Sequence, residues 1–169
     1  MIGKTMEKAL NEQINAEWYS SYLYYAMSAW FESEDLPGFA TWMKVQAAEE
    51  HGHAMRFFDF VHERGGRVTL KAIAAPPTKW SDALAAFTEV RKHEAHVTGL
   101  IDGLVELAGK EKDNASFQFL QWFVAEQVEE EKQTDDLVQI LTMIGADPTA
   151  VFMLDRELGT RQPEPAAEA

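Results

Sequence analysis

The chain contains no cysteine among its 169 residues. That excludes a disulfide scaffold, a zinc ribbon, a rubredoxin-type iron site and a thiol nucleophile. Positive charge is scarce: 15 Lys and Arg face 28 Asp and Glu, for a formal charge of −13. Such a surface repels nucleic-acid backbones and anionic membranes and attracts cations. Long apolar runs are missing as well. The longest, Tyr22 to Phe31, is far shorter than the ~20 residues that a membrane-spanning helix needs. The first residues, Met1 to Thr5, lead directly into polar helix-forming sequence without the pattern of a signal peptide. These features imply a soluble, cytoplasmic protein with no nucleic-acid or membrane partner.

Glycine and proline are few, and their positions punctuate the chain. Neither occurs between Thr5 and Asp35, where helix-compatible residues dominate. Asp35-Leu36-Pro37-Gly38 breaks that stretch and supplies a proline suited to the first turn of a second helix. The second helix is predicted to reach Gly65-Gly66. A non-helical link from Arg67 to Trp80 follows, and Ser81-Asp82 caps a third helix that ends at Gly109. Asp113 caps a fourth, which Gly145 ends, and Asp147-Pro148 opens a short fifth ended by Gly159. The single domain is thus predicted over residues 1–159, with a disordered Pro, Ala and Glu-rich tail over 160–169.

Four helices of roughly 28 to 32 residues, each ~45 Å long, make an all-α bundle. The link after the second helix is about 15 residues and spans ~50 Å when extended, about one bundle length. It can climb the whole bundle and so make the second and third helices parallel. One long crossover is the connectivity of ferritin-like four-helix bundles.

Core-facing residues should recur at alternating steps of three and four. The seams are then Leu10, Ile14, Glu17, Ser21, Tyr24, Ser28 and Phe31; Phe39, Met43, Gln46, Glu50, His53, Phe57 and Phe60; Phe87, Val90, Glu94, Val97, Ile101 and Leu104; and Leu120, Phe123, Gln127, Glu130, Thr134, Leu137, Leu141 and Ile144. Each seam carries one glutamate near mid-helix, so Glu17, Glu50, Glu94 and Glu130 converge at one depth, with His53 one turn from Glu50. No Lys or Arg lies on the seams at that level. Uncompensated, such carboxylates would each cost several kcal/mol or stay protonated. Two divalent metal ions remove the conflict. Glu50-x-x-His53 has the i, i+3 spacing of di-iron carboxylate bundles, and oxygen-rich ligation with one imidazole suits iron or manganese.

The sequence resembles the ferritins over nearly its whole length. The resemblance rests on Asn11-Glu12-Gln13-Ile14-Asn15-Ala16-Glu17, on Glu49-Glu50 with His53-Ala54-Met55, on Phe57 to Val61, on His93-Glu94, on Phe119 to Gln127, and on Asp155-Arg156-Glu157-Leu158. It implies a non-haem ferritin of the bacterial and archaeal type: a homo-oligomeric hollow shell of 24 subunits that oxidises Fe(II) with O2 or peroxide and stores ferric mineral. By position, Glu17, Glu50 and His53 would hold one iron, with Glu50 bridging, and Glu94 and Glu130 the second. Gln127 and Tyr24 would sit beside the centre. Glu49, Glu126 and Glu129, sharing Glu130, would form a third iron site. The resemblance also places the fifth helix at subunit contacts. Bacterioferritin differs: this chain has His51 at its haem-ligating methionine position, and Gln127 and Glu130 where it has a Glu-x-x-His pair. Haem is therefore not expected. His62, His93 and His96 read as polar surface. A di-iron peroxidase or oxidase on the same bundle is the alternative function, and a DNA-protecting mini-ferritin or a structural metal buffer are further ones.

Overall fold

The computed structural model describes residues 1–163. Five helices occur in order: α1 Lys4–Ser33, α2 Pro37–Glu63, α3 Ala83–Glu111, α4 Asn114–Ile144 and α5 Pro148–Leu158. The expected caps form. Asp82, Asp113 and Asp147 each accept a hydrogen bond from a backbone N–H three residues on, at 2.7, 3.1 and 2.8 Å. The third helix outruns its expected end. Gly109 remains helical, and the stop is made by Lys112 in the left-handed region, whose N–H donates to Gly109 O while Asp113 N–H reaches Ala108 O. A C-cap needs a left-handed residue, and that need not be the nearest glycine.

The long link runs along α1. Asn11 donates to Arg67 O at 3.0 Å and accepts from Thr69 N–H at 2.6 Å, and Asn15 donates to Ala72 O at 3.3 Å. Trp80 ends the climb against Trp30, with ring centroids 5.6 Å apart. The start of α1 meets the end of α2 through Ile2 N–H to Arg64 O. Consequently α3 begins at the far end of α1 and runs parallel to α2. An Arg64–Asp113 ion pair at 3.0 Å ties the end of α2 to the α3–α4 turn. No helix among the described residues is long and apolar enough to cross a membrane.

Two apolar clusters fill the interior, one toward each end of the bundle. One gathers Phe31, Phe39, Phe87 and Leu141, and the other Leu10, Phe57, Ile101 and Phe123. The seam residues are buried throughout, except for Ile144, which is half-buried. Between the clusters lies a layer of buried polar side chains.

The short α5 docks on the first turn of α2. Buried Asp155 accepts from the N–H groups of Gly38 and Phe39 at 2.8 and 3.0 Å, capping α2 from outside its own helix. This matters because Leu36 offers α2 no side-chain cap. Gly38 permits the approach: a Cβ there would stand 1.6 Å from Asp155 O. The chain continues in order beyond Gly159. Thr160 and Arg161 donate backbone hydrogen bonds to Glu157 O and Leu158 O. These first residues of the expected tail form a local turn, and the Arg161 side chain also reaches Gln46 and Glu49. The remainder of the tail, 164–169, lies outside the described residues.

Asp155→Ala should cost about 1–2 kcal/mol through the lost cap. Gly38→Ala should cost more, since its contact is with backbone that cannot yield. Thermal unfolding of both variants checks the order, and a Gly38→Ala protein as stable as the parent would contradict this docking.

Candidate metal centre

Four helices each bring one glutamate to the polar layer. Glu17, Glu50, Glu94 and Glu130 are all at most 3 % exposed. Ligand atoms of Glu17, Glu50 and His53 lie within 4.8 Å of one another, and so do those of His53, Glu126 and Glu130. His53 stands between the groups, with Nδ1 3.5 Å from Glu50 and Nε2 3.9 Å from Glu126. Its ring is wedged edge-on against Trp122 and Phe123.

Amides and hydroxyls hold these carboxylates. Gln13 donates to Glu17 Oε1 at 2.7 Å, and Gln46 to Glu130 Oε2 at 2.6 Å. The Tyr24 hydroxyl donates to Glu94 Oε1, and Gln127 reaches Glu94 Oε2 at 3.4 Å. Glu94 is thus turned toward Tyr24 and Gln127. Glu94, Glu49 and Glu129 lie outside the two converging groups; Glu129 is exposed on α4, and Glu49 is bound by Arg161 at 2.6 Å.

The electrostatics follow from this crowding. Burial, reinforced by Glu50, lifts the Glu17 carboxyl well above its ordinary range. Burial together with Glu94 and Glu130 does the same to Glu50. Glu94 is raised chiefly by burial. Glu130 is pushed up to about 8 by burial and by the charge of Glu94, with a smaller contribution from Glu49. Burial and Glu94 also raise the Tyr24 phenol well above its usual value, so the phenol stays a donor at neutral pH. Without a cation the cluster must keep protons. One further detail bears on the fit of a cation: the buried Glu17 Oε2 has no hydrogen-bond partner. An unpaired carboxylate oxygen beside an imidazole and a second carboxylate fits a divalent cation, and the oxygen-rich donor set fits iron.

Several features lie outside what helical periodicity shows, among them Gln13, which is off the predicted seam yet buried against Glu17. Gln46 is on the predicted seam but was given no function. Arg161 follows the last helix, outside any periodic pattern. His93 was read as surface, but it is largely covered: it meets Ser20 Oγ at 2.7 Å and packs against Tyr19 and Tyr24, and burial lowers its pKa to about 4. A residue beside a seam position faces the neighbouring helix, and here α1 covers it. His62, His96 and His51 are exposed.

A four-helix bundle with one long crossover and glutamates plus an i, i+3 histidine projecting inward defines a ferritin-like carboxylate bundle. Comparison with known proteins agrees. The ferritin-like domain family matches residues 7–144. The chain is 44 % identical over 161 residues to the bacterial non-heme ferritin of Bacteroides fragilis strain 638R, covering 95 % of this chain and 100 % of that protein. It is 37 % identical to that of Staphylococcus aureus strain MRSA252, with 95 % and 97 % covered. Among solved structures, an Archaeoglobus fulgidus ferritin engineered into a closed form superposes with a TM-score of 0.96 at 54 % identity, covering 96 % and 99 % of the two chains. The open-pore ferritin of the same archaeon gives 0.95 at 54 % identity, with 96 % and 100 % covered. The chain belongs to the ferritin family, on its bacterial and archaeal non-haem side.

The raised carboxyls set the pH dependence. Folded Glu130 keeps its proton to about pH 8, whereas an unfolded glutamate loses it near 4.5. Between these values the folded state binds more protons, so metal-free stability should fall as pH rises, by on the order of a few kcal/mol. Divalent ions should reverse the trend and release protons on binding. Thermal unfolding of the metal-free protein at pH 5.5 and 8 tests this; a melting temperature that rises over that interval would contradict it.

Proposed function

We propose that this protein is an iron-storage ferroxidase: it oxidises Fe(II) with O2 or peroxide at the buried carboxylate cluster and stores the ferric product as mineral inside a hollow homo-oligomeric shell. The observation that carries this reading is the burial of four glutamates and His53 between two apolar clusters, where ligand atoms of Glu17, Glu50 and His53 and of His53, Glu126 and Glu130 converge, with Glu17 Oε2 left unpartnered. Iron is the substrate and cargo here.

Glu17, Glu50 and His53 take one Fe(II), and Glu94 and Glu130 the second, with Glu50 shared. Binding displaces protons that burial holds on the carboxyls. Tyr24 and Gln127 hold Glu94 in place, while Gln13 and Gln46 do so for Glu17 and Glu130. The apolar clusters on both sides exclude bulk water. Each Fe(II) gives up one electron to the oxidant, and carboxylates accommodate the change in charge by altering their mode of binding. The ferric ions then pass to Glu126, Glu129 and Glu49, which can form a third site, before hydrolysis to mineral. No residue of the reading calls for haem.

Self-association, which in this reading builds a shell of 24 subunits, is supported by apolar side chains left exposed on a single chain. Met143, Phe152 and Met153 are 80, 60 and 66 % exposed around the α4–α5 corner. The net charge of −13 supports cation attraction.

Glu50→Ala and His53→Ala should each slow initial Fe(II) oxidation by at least ~100-fold, beyond the ~10- to 100-fold typical of losing an outer partner, and leave the assembly intact. Stopped-flow absorbance with gel filtration reads both; parent-like rates would overturn the site. Aerobic iron loading separates storage from a di-iron redox enzyme. Tens of iron atoms retained per chain in a very large soluble particle fit storage. Saturation near two per chain fits the enzyme and rejects storage.

A further inference from the structure

Arg161 brings a cation to the edge of the acidic layer, and it arrives from beyond the last helix. Its Nη1 donates to Gln46 Oε1 at 2.8 Å, and its Nη2 to Glu49 Oε2 at 2.6 Å. The guanidinium carbon sits 4.5 Å from the centroid of the Trp42 ring. The Arg161 and Glu49 side chains are only 16 and 15 % exposed, so this pair is sheltered from the solvent that weakens surface ion pairs. Gln46 passes the contact inward: with its carbonyl oxygen held by Arg161, its amide N–H points to Glu130. The position of Arg161 depends on the α5 dock, since Asp155 caps α2 and Gly159 abuts Gly38.

We propose that Arg161 is a positioning residue that fills the outer side of the cation cluster. It occupies Glu49 as a fixed organic cation and orients Gln46 toward Glu130, so Glu49 carries either the guanidinium or a metal ion and never both. Arg161 thereby separates the two inner ions from the third. The inference rests on the proposed reading of the cluster as a cation site. Its chemistry is simple competition between like charges: the guanidinium, donating one N–H to Glu49 and another to Gln46, places a fixed positive charge on the carboxylate that an incoming ion would need.

The test uses the full-length assembled protein and Co(II), whose visible absorption reports coordination and which is not consumed by oxidation under anaerobic conditions. The parent should bind two equivalents per chain, with a third much weaker. In Arg161→Ala the third equivalent should bind about tenfold more tightly. Arg161→Lys, which keeps the charge, should leave it weak, and Arg161→Ala combined with Glu49→Gln should abolish the gain. A parent that binds no Co(II) would reject the cation-site reading itself. A parent that binds two, with Arg161→Ala unchanged, rejects only the role of Arg161. Equal gains in the Ala and Lys variants would show that the positive charge does not compete with the ion and likewise reject it. If Arg161→Ala does not assemble, parent crystals soaked in concentrated Zn(II) decide the matter. An ion on Glu49 with Arg161 still paired overturns the proposal. Exclusive occupation by one or the other supports it.

Discussion

Burying like charge is the constraint on which this structure turns. Four carboxylates lie in a buried layer of one bundle, and mutual repulsion adds to the desolvation of Glu50 and Glu130. No lysine or arginine on the four seams relieves that strain. Protons relieve it partly. Divalent cations relieve it fully, because they match both the charge and the oxygen-rich donor set. The fold supplies what such a cluster needs: a stable apolar cluster on either side and amides that fix the carboxylates' orientation.

The connectivity serves the same end. The long link climbs α1 and lets α2 run parallel to α3, bringing Glu50 and Glu94 to one level from helices of the same direction. The small helix α5 extends this control to the rim. By capping α2 through Asp155, it delivers Arg161 to Glu49 and Gln46. A peripheral helix with little core of its own is thus connected by hydrogen bonds to the centre of the bundle.

Much of this was legible before any coordinates. The three- and four-residue steps placed Glu17, Glu50, Glu94 and Glu130 inside, because helical periodicity depends only on local geometry. Asp82, Asp113 and Asp147 announced their helices for the same reason: a cap is made within one turn. The length of the 67–80 link set its reach. What escaped prediction depends on tertiary contact. Arg161 has no periodic partner and lies in a segment whose composition reads as tail. Gln46 gains a role only once Arg161 and Glu130 flank it. His93 is covered by α1, which no pattern in α3 reveals. Lys112 stops α3 in place of Gly109 because the turn into Asp113 requires it there.

The central claim is that two divalent ions balance the buried carboxylates. Anomalous X-ray scattering from crystals grown without metal and soaked anaerobically in Fe(II) tests it most directly. The account predicts two strong peaks per subunit in the polar layer, one bounded by Glu17, Glu50 and His53 and the other reaching Glu94 and Glu130. Peaks confined to exposed carboxylates such as Glu129, with the buried layer empty, would contradict it.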